Sequence, residues 1–107
     1  MSEMPPPDWK LKLRYGRLDT PYKHFTVIAD GRAGQLIPGF ECRPGPAFMA
    51  MKTWATSPKE SMDMIVAIGQ QIGFEVTGRV EVFDTEAKEP PSETSRGYDI
   101  KFTAYDE

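Results

Sequence analysis

A chain of 107 residues, 39% hydrophobic and 27% charged, is long enough for one domain with its own core and too close to globular averages for wholesale disorder. No run approaches the roughly eighteen apolar residues a membrane helix needs, and the opening MSEMPPPD lacks the basic and apolar regions of a signal peptide. A net charge of −3 argues against general nucleic-acid affinity, which depends on neutralising phosphates.

The expectation is a cytoplasmic protein with no membrane contact. The single cysteine, Cys42, allows no internal disulfide and fits a reducing compartment. Charge is unevenly spread: residues 1–59 carry nine Lys/Arg against five Asp/Glu, and residues 60–107 carry four against eleven. Such polarity can orient a partner or a second copy of the chain.

Residues 1–8, with three consecutive prolines, read as a flexible tail, leaving 9–107 as a single domain. Trp9, Leu11, Leu13 and Tyr15 alternate with Lys10, Lys12 and Arg14, which predicts a half-buried strand. A second strand is expected from about Tyr22 to Ala29. Phe25, Val27 and Ala29 face the core there, with His24, Thr26 and Ile28 outside, and Asp30-Gly31 is the turn that ends it. Residues 32–46 are punctuated by glycine and proline. They read as a long connection, functional or mobile, with room for a short edge strand near Leu36 or Phe40. In FMAMKTWAT, Phe48, Ala50 and Trp54 oppose Met49 and Met51. That pattern describes a strand apolar on both faces, either central in a covered sheet or beneath a loop or partner; a short helix through Ala47–Trp54 is the alternative.

The stretch from Ser57 to Gly73 carries the strongest local signals. Ser57 and Glu60 have capping-box spacing, Pro58 suits the first helical position, and Gly73 suits a left-handed C-terminus. Met62, Ile65, Ile68, Gly69 and Ile72 recur at helical spacing, which predicts an amphipathic helix over about 58–72. Alternation then returns in Phe74, Val76, Gly78, Val80 and Val82, where Gly78 marks a bulge or a close approach of the helix. Residues 85–97 form a polar arm, read chiefly as a solvated loop. A last strand places Tyr98, Ile100, Phe102 and Ala104 inward.

These elements predict an α+β fold: a mixed, mostly antiparallel sheet of four or five strands with one helix packed on one face. If the strands flanking the helix run parallel, they form a right-handed crossover; the outer strands pair as hairpins.

For chemistry, His24 and Cys42 are the only histidine and cysteine. A catalytic or ligand-binding site would therefore gather His24, Arg32, Cys42 and Arg43 around the 30–46 loop, the arginines favouring a thiolate. No local signature surrounds Cys42, and neighbouring Glu41 opposes thiolate formation. One histidine and one cysteine without ligand spacing predict no metal site, and DGRAGQLIPG lacks the lysine and following helix of a phosphate loop. No cofactor is expected.

A single-stranded nucleic-acid binder would use an outer sheet face bearing Lys10, Lys12, Arg14, His24, Arg79 and Lys101 with Phe83, Tyr105 and Trp54. Arg96–Phe102 begins like the core sequence of the RNA-recognition motif, then departs at Asp99 and Ile100; nucleic acid is the disfavoured partner. The leading expectation is a non-catalytic module that binds another protein or itself as a dimer. Its surface is drawn from Phe48, Met49, Met51, Trp54, Phe83 and Tyr105, a surplus of aromatic and methionine side chains typical of interface cores.

Overall fold

The period-two pattern after Tyr22 runs further than its turn signal suggests. In the computed structural model, which describes residues 20–105, the first strand is β1 (Lys23–Ala33); β2 (Gly45–Ala55), helix α1 (Pro58–Ile72), β3 (Phe74–Asp84) and β4 (Arg96–Ala104) follow. The predicted tail and the strand at Trp9–Tyr15 lie outside the described residues.

The strands make one antiparallel sheet in the order β3-β1-β2-β4 with α1 against it, an α+β fold. β2 and β3 are both antiparallel to β1 and hence share a direction, but β1 lies between them, so the crossover through α1 skips a strand. β3 and β4 occupy opposite edges of the described sheet and do not pair with each other, whereas β1 and β2 pair antiparallel.

Asp30-Gly31 does not end β1. The strand passes through it, and the irregularity falls on β3 instead: Ala29 pairs with Val80 and Gly31 with Val76, so Thr77, Gly78 and Arg79 stand against Asp30 alone. The bulge expected at Gly78 is there, but the group that approaches it is the Asp30 side chain, not the helix. The glycine that meets packing from α1 is Gly69, against Phe74 and Met49.

β2 is a strand throughout, not a helix, and it is central. Ala47, Met49, Met51, Thr53 and Ala55 turn to the helix side, where Val27, Ala29, Ala33, Ile65, Ile72 and Phe74 complete the core. The helix starts as its sequence says: Ser57 Oγ accepts from the Glu60 amide at 3.1 Å, and Gly73, at φ 117°, closes it by donating to the Gly69 carbonyl. The Glu60 carboxylate, however, reaches back to the Thr56 amide at 2.7 Å rather than to Ser57. The buried stripe is Ser61, Ile65, Gly69 and Ile72, with Ile68 half-buried and Met62 exposed. Ser61 belongs in the core because its hydroxyl lies 2.7 Å from that of buried Thr53, which satisfies both.

Leu36, Phe40 and Cys42 of the connection between β1 and β2 pack on this same core beside Met64, Ile68, Ile100 and Phe102. The helix, whose closest neighbour is β3, and this loop thus divide the inner face between them. No strand forms at Leu36 or Phe40. Asp99, at φ 52°, interrupts the alternation of β4 between the Ala50 and Lys52 pairings, and the slip turns Tyr98 to the outer face instead of inward.

Candidate functional site: the outer face of the sheet

Facing away from α1 are His24, Thr26, Ile28, Asp30 and Arg32 of β1 and Phe48, Ala50, Lys52 and Trp54 of β2, set opposite one another by the β1–β2 register. This face divides into a closed end and an open end.

At the closed end, the arm between β3 and β4 folds back over the sheet rather than standing in solvent. Its Ala87 is buried with Trp54 and Tyr98, and Tyr22 packs alongside. Trp54 Nε1 donates to the Glu89 carbonyl at 2.8 Å, and the Tyr22 hydroxyl donates to that of Glu93 at 3.1 Å. Arg96 places one guanidinium nitrogen 3.0 Å from the Glu89 carboxylate and another 2.9 Å from the Pro90 carbonyl, with its charge over the Tyr98 ring.

The Tyr98 hydroxyl is the hub of this end. It accepts the Lys88 and Glu89 amides at 3.0 and 3.2 Å and lies 2.6 Å from His24 Nε2. With its acceptor capacity engaged by two amides, the phenol donates its own proton to His24. The other ring nitrogen, Nδ1, lies 3.0 Å from the Thr85 carbonyl, an acceptor only, so that nitrogen carries the imidazole hydrogen. Burial holds the His24 pKa below its ordinary value. The hydrogen bond to Thr85 opposes this shift, and the positive charges of Lys52 and Arg96 add to it. With a partner on each ring nitrogen and little exposure, the imidazole acts as a structural link between the sheet and the arm.

At the open end, Phe48 is 41% exposed and its ring lies 4.7 Å from that of Tyr105; Phe83, 45% exposed, stands on the same face across β1, opposite Thr26. The Tyr105 hydroxyl hydrogen-bonds Asp30, fixing that aromatic against β1. Ile28 and Ala50, half-buried and paired with each other, lie on the same face one step along the ladder from Phe48. Lys52 and Lys101 flank this pair, both directed to Asp99 at 2.7 and 3.9 Å; the Lys52 hydrogen bond holds the Asp99 carboxyl below the usual range.

Of the six residues expected to form an interaction surface, the structure brings Phe48 and Tyr105 together and keeps Phe83 on the same face. Met49 and Met51 are consumed by the helix-side core, and Trp54 lies under the arm. The alternative set is not assembled. His24 is buried on the outer face while Cys42 packs on the inner-face core, so the sheet separates thiol from imidazole. The Cys42 thiol instead meets the Arg43 carbonyl at 3.5 Å, and Arg32 lies exposed near the end of β1. Among the cations of the nucleic-acid reading, Lys10, Lys12 and Arg14 lie outside the described residues; Arg79 faces Glu81 at 3.4 Å and Lys101 faces Asp99.

Sequence reasoning missed Tyr98, Thr85 and Arg96 as the arm's anchors. The Asp99 slip that puts Tyr98 on this face has no sequence marker, because the left-handed residue is an aspartate rather than a glycine. Among the described residues no group of three or more potential metal ligands gathers, and no helix is long and apolar enough to cross a membrane. No protein family, curated protein or solved structure matches the chain.

Proposed function

We propose that this chain is a non-catalytic, cytoplasmic protein-interaction module that docks a protein partner, another chain or its own copy, on the open end of the outer sheet face. The observation that supports the reading is that Phe48 and Phe83 are each more than two-fifths exposed on the same face of the sheet, either side of half-buried Ile28 and Ala50. Aromatic side chains held by strand backbone lose little conformational freedom on binding and supply the desolvated anchors that interfaces use. The paired charges around them give a polar rim.

The test is site-specific photocrosslinking in cells, with the photoreactive residue at position 48 and, as control, at position 59 on the solvent side of α1. A discrete adduct from position 48 alone, lost when Phe83→Ser is added, supports the reading. Equal or absent labelling at the two positions removes it.

A further inference from the structure

The two flanks of α1 are treated differently. On the β4 side, Met64 and Ile68 are half-buried, and Leu36, Phe40 and Cys42 of the loop between β1 and β2 pack on the same core. On the β3 side, Met62 and Val66 remain 38% and 45% exposed, and Val76, Val80 and Val82 of β3 are only half-buried. At the Gly73 end of this flank lies a cleft of about 480 Å³, lined by Val66 and Gln70 of α1, Phe74 to Val76 of β3 and Arg32 to Gly34 at the end of β1. Among the described residues β3 pairs only with β1, so no described strand meets its other edge.

We infer that the α1/β3 flank is the seam of a two-fold dimer, in which β3 pairs antiparallel with β3 of a second copy about Val80. This rests on the reading of the chain as an interaction module but uses a different surface from the Phe48 face. Charge selects the occupant. In an antiparallel pairing centred on Val80, Arg79 stands opposite the partner's Glu81, and the symmetry makes the same pair twice. Within one chain these two side chains are exposed and 3.4 Å apart, an arrangement worth little by itself in water. Across the seam the four charges alternate in sign.

The same axis, perpendicular to the sheet, sets Val80 against its twin and carries Met62 and Val66 of each helix toward the joint. One arrangement thereby covers the apolar side chains that the protomer leaves open. The bulge of Thr77, Gly78 and Arg79 limits the pairing to the 79–84 part of the strand. Cross-paired charges are what select the second copy over any extended peptide. A seam of one strand edge and one helix flank falls in the class of weak, transient interfaces, for which a dissociation constant of about 1–100 μM is expected.

Sedimentation equilibrium of the full chain across that range tests it, with Arg79→Glu, the swap Arg79→Glu/Glu81→Arg, and Phe48→Ser. Arg79→Glu places like charges opposite each other and weakens the dimer at least ~10-fold, the swap restores it, and Phe48→Ser leaves it intact. A monomer at every concentration overturns the seam while leaving the Phe48 face untouched. If that monomer also shows slow amide exchange along 77–83, the edge is occupied by the chain's own terminal segment. A dimer lost in Phe48→Ser and indifferent to Arg79→Glu locates self-association on the outer face and overturns the seam equally.

Discussion

The Tyr98 hydroxyl lies 2.6 Å from His24 Nε2, and through that contact the arm between β3 and β4 is tied to the centre of the sheet. The phenol takes both the Lys88 and Glu89 amides, so its proton must go to the imidazole. A protonated His24 would present a second N–H to an oxygen already surrounded by donors, beside the positive charges of Lys52 and Arg96.

Acid should therefore loosen the arm. The His24 pKa is lowered in the folded state, so its contribution is fully present above the unfolded value of about 6.5 and is lost as pH falls through the folded one. Glu60 and Asp99 act in the same direction at lower pH. Both carboxyls are held below their ordinary range, Glu60 first by the Thr56 amide and Asp99 first by Lys52, so their contributions also disappear on acidification. Thermal melts should show stability falling below neutrality in two stages, first with the histidine and then with the carboxylates. A stability maximum below pH 5 would refute the assignment.

Tyr98→Phe should cost about 1–3 kcal/mol, chiefly because it strips the partner from a buried imidazole nitrogen, with two part-buried amides losing their acceptor as well. Trp54 fluorescence reports the same event, since the indole donates to Glu89 on the arm. Its emission should shift to the red in the variant at neutral pH, as it should in wild-type protein on acidification. Unchanged emission in both would mean that the arm stays down without the hydroxyl.

Along α1, Ile65→Ala should cost about 2–5 kcal/mol by leaving a cavity beneath the helix, whereas Ile68→Ala should cost less, because Ile68 is only half-buried. Met62→Ala should stay within about 1 kcal/mol in a monomer. Chemical denaturation of the three orders them. A larger loss at Met62 than at Ile68 would mean that the first flank is covered and the second is not.

The period of the pattern made the helix and its caps legible, because Ser57, Pro58, Glu60 and Gly73 act locally. The two-sided character of β2 was legible too, since Met49 and Met51 oppose Phe48 and Trp54 whatever the strand order. What the sequence could not carry was pairing at a distance. Asp30-Gly31 has the composition of a turn, but β2 and β3 flank β1 on both sides and hold the dipeptide extended. Tyr98 reads as inward until the slip at Asp99 is known. The 85–95 arm reads as solvated because its anchors are mostly main-chain groups, which composition does not reveal. For the candidate surface, chemical type was readable and layer was not: Met49, Met51 and Trp54 resemble interface residues, and the chain uses them for itself.

Cys42 and His24 give a direct check on the two-layer arrangement. The thiol packs beneath the sheet with Leu36 and Phe40, the imidazole lies above it under the arm, and among the described residues no hydrogen-bonded chain joins them. Alkylating Cys42 should therefore leave the His24 titration unmoved to within about 0.2 pH units when followed by NMR, since an uncoupled group feels only a screened, distant and uncharged change. A dyad would respond by a unit or more, because the charge partner of the imidazole would be gone.

Gly31 is the position where the double pairing of β1 is most exacting. A Cβ there would run into the Glu75 carbonyl and approach the Phe74 ring to 2.8 Å, while Ala47 of β2 faces it in register on the other side. Neither neighbour can retreat easily: Glu75 contributes main chain to the paired end of β3, and Phe74 is packed against Gly69 of the helix. Gly31→Ala should therefore cost about 2–3 kcal/mol, from overpacking alone and without any φ strain. Gly39→Ala is the contrasting case. At φ 99° it sits in the left-handed region with nothing within 4 Å of the added methyl, so its cost of about 1 kcal/mol comes from the backbone only. Urea titration of the pair separates the two effects. If Gly31→Ala proved as mild as Gly39→Ala, β1 could not be clasped between β2 and β3 through the Asp30-Gly31 step.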